Sequence, residues 1–126
     1  MRISFLPLFI LVLTPGRLFA QPEAETIPIN GKNFTEFNRK ASYEKGEAHL
    51  NANTDYGLLW LNSSSFGNGT IELELRGTAI PGQSFVGVAF HGRDDSAFDA
   101  VYFRPFNFLH PERKGHSVQY ICLPGN

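Results

Sequence analysis

Glu72, Glu74 and Arg76 alternate with Ile71, Leu73 and Leu75 in the run Thr70–Arg76. Alternate residues of a strand share a face, so this spacing presents two carboxylates and a guanidinium on one side and three aliphatic side chains on the other. Tyr102 and Arg104 alternate in the same way, Phe85 and His91 flank an apolar run, and Gln119 sits between Val118 and Tyr120. Sugars offer arrays of hydroxyls and weakly apolar ring faces. Carboxylate, guanidinium and amide groups beside an aromatic platform can hold both. The expected ligand-binding set is therefore Phe85, Tyr102, Arg104 and Gln119, with Phe98 as another candidate platform, and the expected partner is an oligosaccharide or polysaccharide.

Hydrolysis is a second chemistry open to these residues. Same-face neighbours on one strand lie at a separation of the order of the ~5–5.5 Å used by retaining glycosidases. On that reading Glu72 and Glu74 are catalytic, and His91 serves as general acid or base. The competing reading makes Glu72, Glu74 and Arg76 the wet side of an antiparallel sheet, joined in ion pairs of small worth, and makes His91 structural. Spacing does not choose between them, because any two same-face strand residues share it. Arg104 stands apart from that argument: its neighbours are Tyr102, Pro105, Phe106 and Phe108, company that suits a positioned guanidinium better than a solvated charge.

The three aspartates Asp94, Asp95 and Asp99 lie in a turn-forming stretch and could hold calcium with backbone carbonyls. Their spacing matches no specific calcium loop, so the expectation is a hairpin turn capped by Asp side chains, with no metal and no cofactor. His91, His110 and His116 are too scattered to argue a metal site. A Gly-rich phosphate loop, a nucleophile elbow and a His-Glu-x-x-His stretch are all missing from the sequence.

The elements that must position these groups read as strands. No segment keeps apolar residues at helical spacing for three turns, while short runs alternate with period two between Gly, Pro, Asn and Asp clusters. Strands are expected at 47–51, 56–61, 69–76, 85–91, 98–104 and 117–122, with turns at 66–69, 80–82 and 92–96. Alternation puts Phe85, Gly87, Ala89 and His91 on one face with Phe98, Ala100, Tyr102, Arg104 and Gln119. Val86, Val88, Phe90, Val101, Phe103, Val118 and Tyr120 form the other face, expected to turn inward. The expected fold class is all-β, an antiparallel β-sandwich or jelly roll.

Composition bounds the rest. A chain of 126 residues holds one domain at most. Arg2 before the apolar run Ile3–Leu13, then Thr14, Pro15, Gly16 and Ala20, is the order of a secretory signal cleaved after Ala20. The run is too short for a transmembrane helix, so the protein is expected to be secreted or periplasmic, with no membrane contact after cleavage. The division is 1–20 signal peptide, 21–45 lead-in and 46–126 β-sandwich. Removing Arg2 and Arg17 leaves nine Lys and Arg against twelve Asp and Glu, a charge of −3 that excludes a strongly basic nucleic-acid surface. Cys122 is the only cysteine, which forbids an internal disulfide and leaves an inert small hydrophobe or a free thiol. Asn33, Asn62 and Asn68 head Asn-x-Ser/Thr sequons, which would mark surface loops in a eukaryotic secretory protein.

The stretches Gly69–Gly77, Gln83–Gly92, Phe98–Phe108 and Ser117–Tyr120 resemble secreted bacterial domains of the concanavalin A-like lectin/glucanase superfamily. These are laminin-G-like jelly rolls, often family-16-glycosidase-like or 3-keto-disaccharide hydrolase-like. The resemblance covers about half of the chain strongly and Ala48–Leu61 more loosely. It implies a two-sheet jelly roll whose concave face receives glycans, in a protein concerned with glycan or disaccharide degradation. Glu72 and Glu74 match the first two acidic places of the family 16 strand, and Gly77 stands where the third acid belongs. Superfamily members continue with further strands beyond the region matching Gln119-Tyr120. The resemblance thus implies the N-terminal part of a sandwich, completed by further chain or a partner chain, or else a structural fragment without its own activity.

Overall fold

The computed structural model describes residues 24–124; the expected signal peptide lies outside the described residues. The chain is all-β and antiparallel. Strands β1 (Phe34–Phe37) and β4 (Leu58–Leu61) pair as one ribbon, and β2 (Ala41–Glu44) and β3 (Glu47–Leu50) as another. Strands β5 (Val86–Asp94), β6 (Ala97–Phe103) and β7 (Val118–Leu123) form a three-stranded sheet in the order β5-β6-β7. Between β6 and β7 lie the short helix α1 (Pro105–Phe108) and a 3-10 turn (Lys114–His116). Strands β1 and β2 fall inside the stretch expected as lead-in, where Phe34-Thr35-Glu36-Phe37 is too short for alternation to register against its Asn-rich flanks. Among the described residues no helix is long and apolar enough to cross a membrane.

Local chemistry sets the hairpins. Lys45 and Gly46 both have positive φ, 52° and 79°, the backbone of a two-residue turn whose twist matches the flanking strands. Pro81-Gly82 forms a second turn: Gln83 N–H donates to Ile80 O at 3.3 Å, and Gly82 takes the left-handed φ of 74°. Between β5 and β6 the Asp94 carboxylate accepts from Ser96 N–H at 2.8 Å and from Ser96 Oγ at 2.7 Å. The Asp side chain therefore closes that turn, as the capped-turn reading expects.

Two expectations need correction. The run 69–76 is not a strand: it pairs with nothing among the described residues, and Ile71 through Arg76 are exposed. Alternation marks a chain fit for a half-buried strand, but a strand forms only against a neighbour that takes up its backbone groups. The second correction concerns which face is inward. Register confirms the grouping, since Gly87 faces Tyr102, Ala89 faces Ala100 and Tyr102 faces Gln119. Yet Phe98 and Ala100 are the buried hydrophobic residues of the described chain, while Val118 and Tyr120 are 54% and 58% exposed. The aromatic pair Trp60 and Tyr56 covers the Phe98 side, with ring centroids 5.9 and 5.6 Å from Phe98, so the deepest burial lies there, while Val86, Val88, Phe90, Val101 and Phe103 on the aliphatic face are half-buried.

Candidate functional site

Four side chains from three places in the chain converge on one face of the β5-β6-β7 sheet. The direct pairing of Tyr102 with Gly87 and Gln119 puts all three in one row across the strands. Gly87 has no side chain, so Tyr102 lies open toward the β5 edge. Phe85, just before β5, stands edge-on to Tyr102 at 5.6 Å and to Phe106 of α1 at 5.8 Å. The Arg104 guanidinium lies 5.6 Å from the Tyr102 ring centre and 6.0 Å from that of Phe85. Both distances suit a cation over an aromatic face.

Hydrogen bonds lock the cluster. Tyr102 Oη donates to Gln119 Oε1 at 2.7 Å, and Arg104 Nη2 donates to Tyr102 Oη at 3.2 Å and also to Gln119 Oε1. Behind it, Arg104 N–H donates to Ser117 O at 2.8 Å, and Asn107 Nδ2 donates to His116 O at 3.0 Å. Pro105 biases Arg104 away from helical backbone and starts α1, so the chain turns off the sheet right after the guanidinium residue. Arg104 Nε, Asn107 Oδ1 and Ser117 Oγ are buried without partners among the described residues, so the network is not saturated. An aromatic wall, a planar cation and an amide with two donors of its own give stacking together with directed hydrogen bonding.

Gly87 is required for this geometry. A Cβ there would sit 2.6 Å from Tyr102 Cα and 2.8 Å from Tyr102 Cβ. Gly87→Val should destabilise the protein by about 1–3 kcal/mol and displace Tyr102. Urea unfolding reads the first effect and the Tyr102 ring resonances the second. A variant matching the parent in both would show that Tyr102 does not depend on the bare backbone at 87.

The expected catalytic residues do not join this cluster. Glu72 and Glu74 are exposed on the unpaired stretch and form no ion pair among the described residues. His91, expected on the Tyr102 face, takes a left-handed φ of 52° at the irregularity between Phe90 and Asp94 and reaches the opposite face. There its Nδ1 lies 2.7 Å from Asp99 Oδ2. Strand parity fails at His91 because the bulge inserts a turn of backbone that a two-residue period does not carry.

The aspartates expected as one turn group go separate ways. Asp94 closes the hairpin, Asp95 Oδ1 accepts from Trp60 Nε1 at 2.8 Å, and Asp99 accepts from Tyr120 Oη at 3.0 Å as well as bonding His91. Among the described residues no group of His, Cys, Asp and Glu has the arrangement of a metal site. The Asp99 network was hidden from sequence reasoning because it depends on the β6–β7 register, which sets Asp99 opposite Cys122. Hydrogen bonds from His91, then from Cys122 and Tyr120, hold the Asp99 carboxyl below its ordinary value. The same contact raises the exposed Cys122 thiol and the Tyr120 phenol.

The sign of the acid response follows. A carboxyl depressed in the folded state contributes stability above its unfolded value of 3.8, lost as pH falls through the lower folded value. Asp99→Asn should therefore flatten the fall of stability below about pH 4, measured by urea midpoints across pH. The substitution should also speed Cys122 alkylation at pH 8 roughly threefold or more by restoring thiolate. An unchanged rate would remove Asp99 as the group that quiets the thiol.

An open depression of about 360 Å³ lies elsewhere, lined by Lys40, Ala41, Ser42, His49, Leu50 and Asn51. It lies along the β2–β3 ribbon and holds no Phe, Tyr or Trp ring, so its chemistry fits a sugar face less well than the Tyr102 platform does. No protein-family model, curated protein or solved structure matches the chain.

Proposed function

We propose that this chain is an exported carbohydrate-binding domain of jelly-roll type, associated with glycan or disaccharide degradation, that holds a sugar on the Phe85, Tyr102, Arg104 and Gln119 face. One observation carries the reading: these four residues, separated by up to 34 positions in sequence, form a single stacked and hydrogen-bonded cluster. A sugar ring would lie against Phe85 and Tyr102 while its hydroxyls meet the Arg104 and Gln119 donors. Binding is favoured over hydrolysis because Glu72 and Glu74 make no hydrogen bond or ion pair with the platform among the described residues, and His91 is bonded to Asp99 on the opposite face. The antiparallel sheet with one aromatic-covered face supports a sandwich, and the resemblance to concanavalin A-like domains supports a jelly roll.

The test is a broad panel of oligosaccharides, neutral and acidic, offered to the folded protein. Saturable binding that is lost with Tyr102→Ala supports the proposal. No binding across the panel by a protein that unfolds cooperatively rejects it.

A further inference from the structure

We propose that the sugar held on the Tyr102 face is an acidic one, a uronate ring whose carboxylate pairs with Arg104. The inference rests on the carbohydrate reading and narrows it to a substrate class. Its ground is charge. The Arg104 guanidinium is half-buried, and every group it donates to is neutral: Tyr102 Oη at 3.2 Å, His116 O at 3.4 Å and Gln119 Oε1. Among the described residues it forms no ion pair, and its Nε is buried without a partner. The pairs that the chain does form use Glu36, Glu44 and Glu47 on the two ribbons and Asp99 on the opposite face of the sheet. Neutral acceptors orient a guanidinium and leave its charge uncompensated. A partly desolvated cation therefore gains most from an anion brought against it.

The balance of donors and acceptors points the same way. Gln119 Oε1 already accepts from both Tyr102 and Arg104, and the Tyr102 hydroxyl both donates and accepts within the cluster. The unpartnered acceptors nearby, Asn107 Oδ1 and Ser117 Oγ, are buried. What the site has left to offer a ligand is the Gln119 amide hydrogens and the guanidinium. A hydroxyl brings a proton of its own that needs an acceptor, whereas a carboxylate only accepts.

A further observation, independent of these hydrogen bonds, is where the chain keeps its positive charge. Residues 101–126 hold Arg104, Arg113 and Lys114 against one acid, Glu112, while residues 1–100 hold eight Lys and Arg against eleven Asp and Glu. Folding returns the basic stretch to the platform. Arg113 N–H donates to His110 O at 3.0 Å, His116 N–H to Arg113 O at 2.8 Å, and Arg104 N–H to Ser117 O at 2.8 Å. The segment that leaves the sheet after Arg104 thus closes beside it, carrying Arg113 and Lys114 exposed and outside any ion pair among the described residues. An acidic protein with its cations gathered at one end of an aromatic platform draws anions to that end and repels them elsewhere.

The experiment is calorimetric titration of the unsubstituted protein with oligomers of galacturonate, glucuronate and mannuronate, each beside its carboxyl-reduced neutral counterpart. At least one acidic oligomer should bind about tenfold tighter than its reduced form, as a hydrogen bond to a charged group provides. That advantage should shrink in 0.5 M NaCl, where exposed charges are screened. Arg104→Gln, which keeps a planar donor and removes the charge, should bring the two forms within about twofold of each other. Should this variant fail to fold, the salt series on the parent still decides. Reduced oligomers that bind as well as the acidic ones, or binding of neutral sugars alone, would overturn the acidic assignment and keep the carbohydrate reading. An acidic preference that survives unchanged in folded Arg104→Gln, or that 0.5 M NaCl leaves untouched, would overturn the carboxylate–Arg104 pair. Binding to no sugar, acidic or neutral, would overturn both the assignment and the reading beneath it.

Discussion

Trp60→Ala should lower the stability of the protein by about 3 kcal/mol, the low end of the range for loss of a large aromatic because Trp60 is half-buried. In a domain of ~100 residues, 1 kcal/mol shifts the melting temperature by ~4–8 °C, so a fall of more than about 12 °C is expected. The size of the effect follows from where Trp60 stands. It belongs to the β1–β4 ribbon, yet its ring stands edge-on to Phe98 of β6 at 5.9 Å and its Nε1 donates to Asp95 Oδ1 at 2.8 Å in the β5–β6 turn. Gly92 fits beneath it with no room for a side chain, since a Cβ would lie 2.5 and 2.7 Å from the indole carbons. Tyr56 adds a parallel link, donating to Asp95 O at 3.0 Å and packing on Phe98 and on Phe37 of β1. These contacts join a two-stranded ribbon, marginal alone, to the three-stranded sheet. Urea unfolding followed by circular dichroism measures the loss, and Asp95→Ala should cost about 1 kcal/mol through the indole hydrogen bond alone. A Trp60→Ala variant within about 1 kcal/mol of the parent would mean that the ribbon and the sheet are held together elsewhere.

Arg104→Lys should weaken oligosaccharide binding tenfold or more, about 1.4 kcal/mol, while leaving urea unfolding close to that of the parent. Lysine keeps the charge and loses the plane. It cannot stack on Phe85 and Tyr102 and donate to Tyr102 Oη and Gln119 Oε1 from one rigid fork, which Arg104 does. Gln119→Glu provides the contrast, since it keeps the acceptor and replaces the amide donors by charge. That change should hold the Arg104 position and still lose affinity for neutral sugars. Equal affinity in Arg104→Lys, measured by calorimetry, would reduce the guanidinium to a fold-stabilising group.

Much of this architecture could be read in the sequence. The Pro81-Gly82 and 92–96 turn signals and the alternation from Phe85 to Gln119 carried the three-stranded sheet, and with it the convergence of Phe85, Tyr102, Arg104 and Gln119. Parity sorts side chains by face, but it does not say which face finds a partner. Phe98 and Ala100 became the buried side because Trp60 and Tyr56 arrive from a different ribbon, a tertiary fact that no period in β6 records. His91 escaped because a local bulge reverses its side. Thr70–Arg76 shows the opposite failure: its pattern is the clearest strand signature in the chain, and pairing decides whether that pattern becomes a strand. The short β1 and β2 depend on their partners β4 and β3 more than on their own four residues.

The most direct test of the account is a residue-by-residue resonance titration of the protein with the oligosaccharide that binds best in the panel. Shifts centred on Phe85, Tyr102, Gln119 and the Arg104 side chain, saturating together with one affinity, are the predicted result. Shifts confined to the β2–β3 depression around Ser42 and His49, or none at the Tyr102 face at saturation, would contradict it.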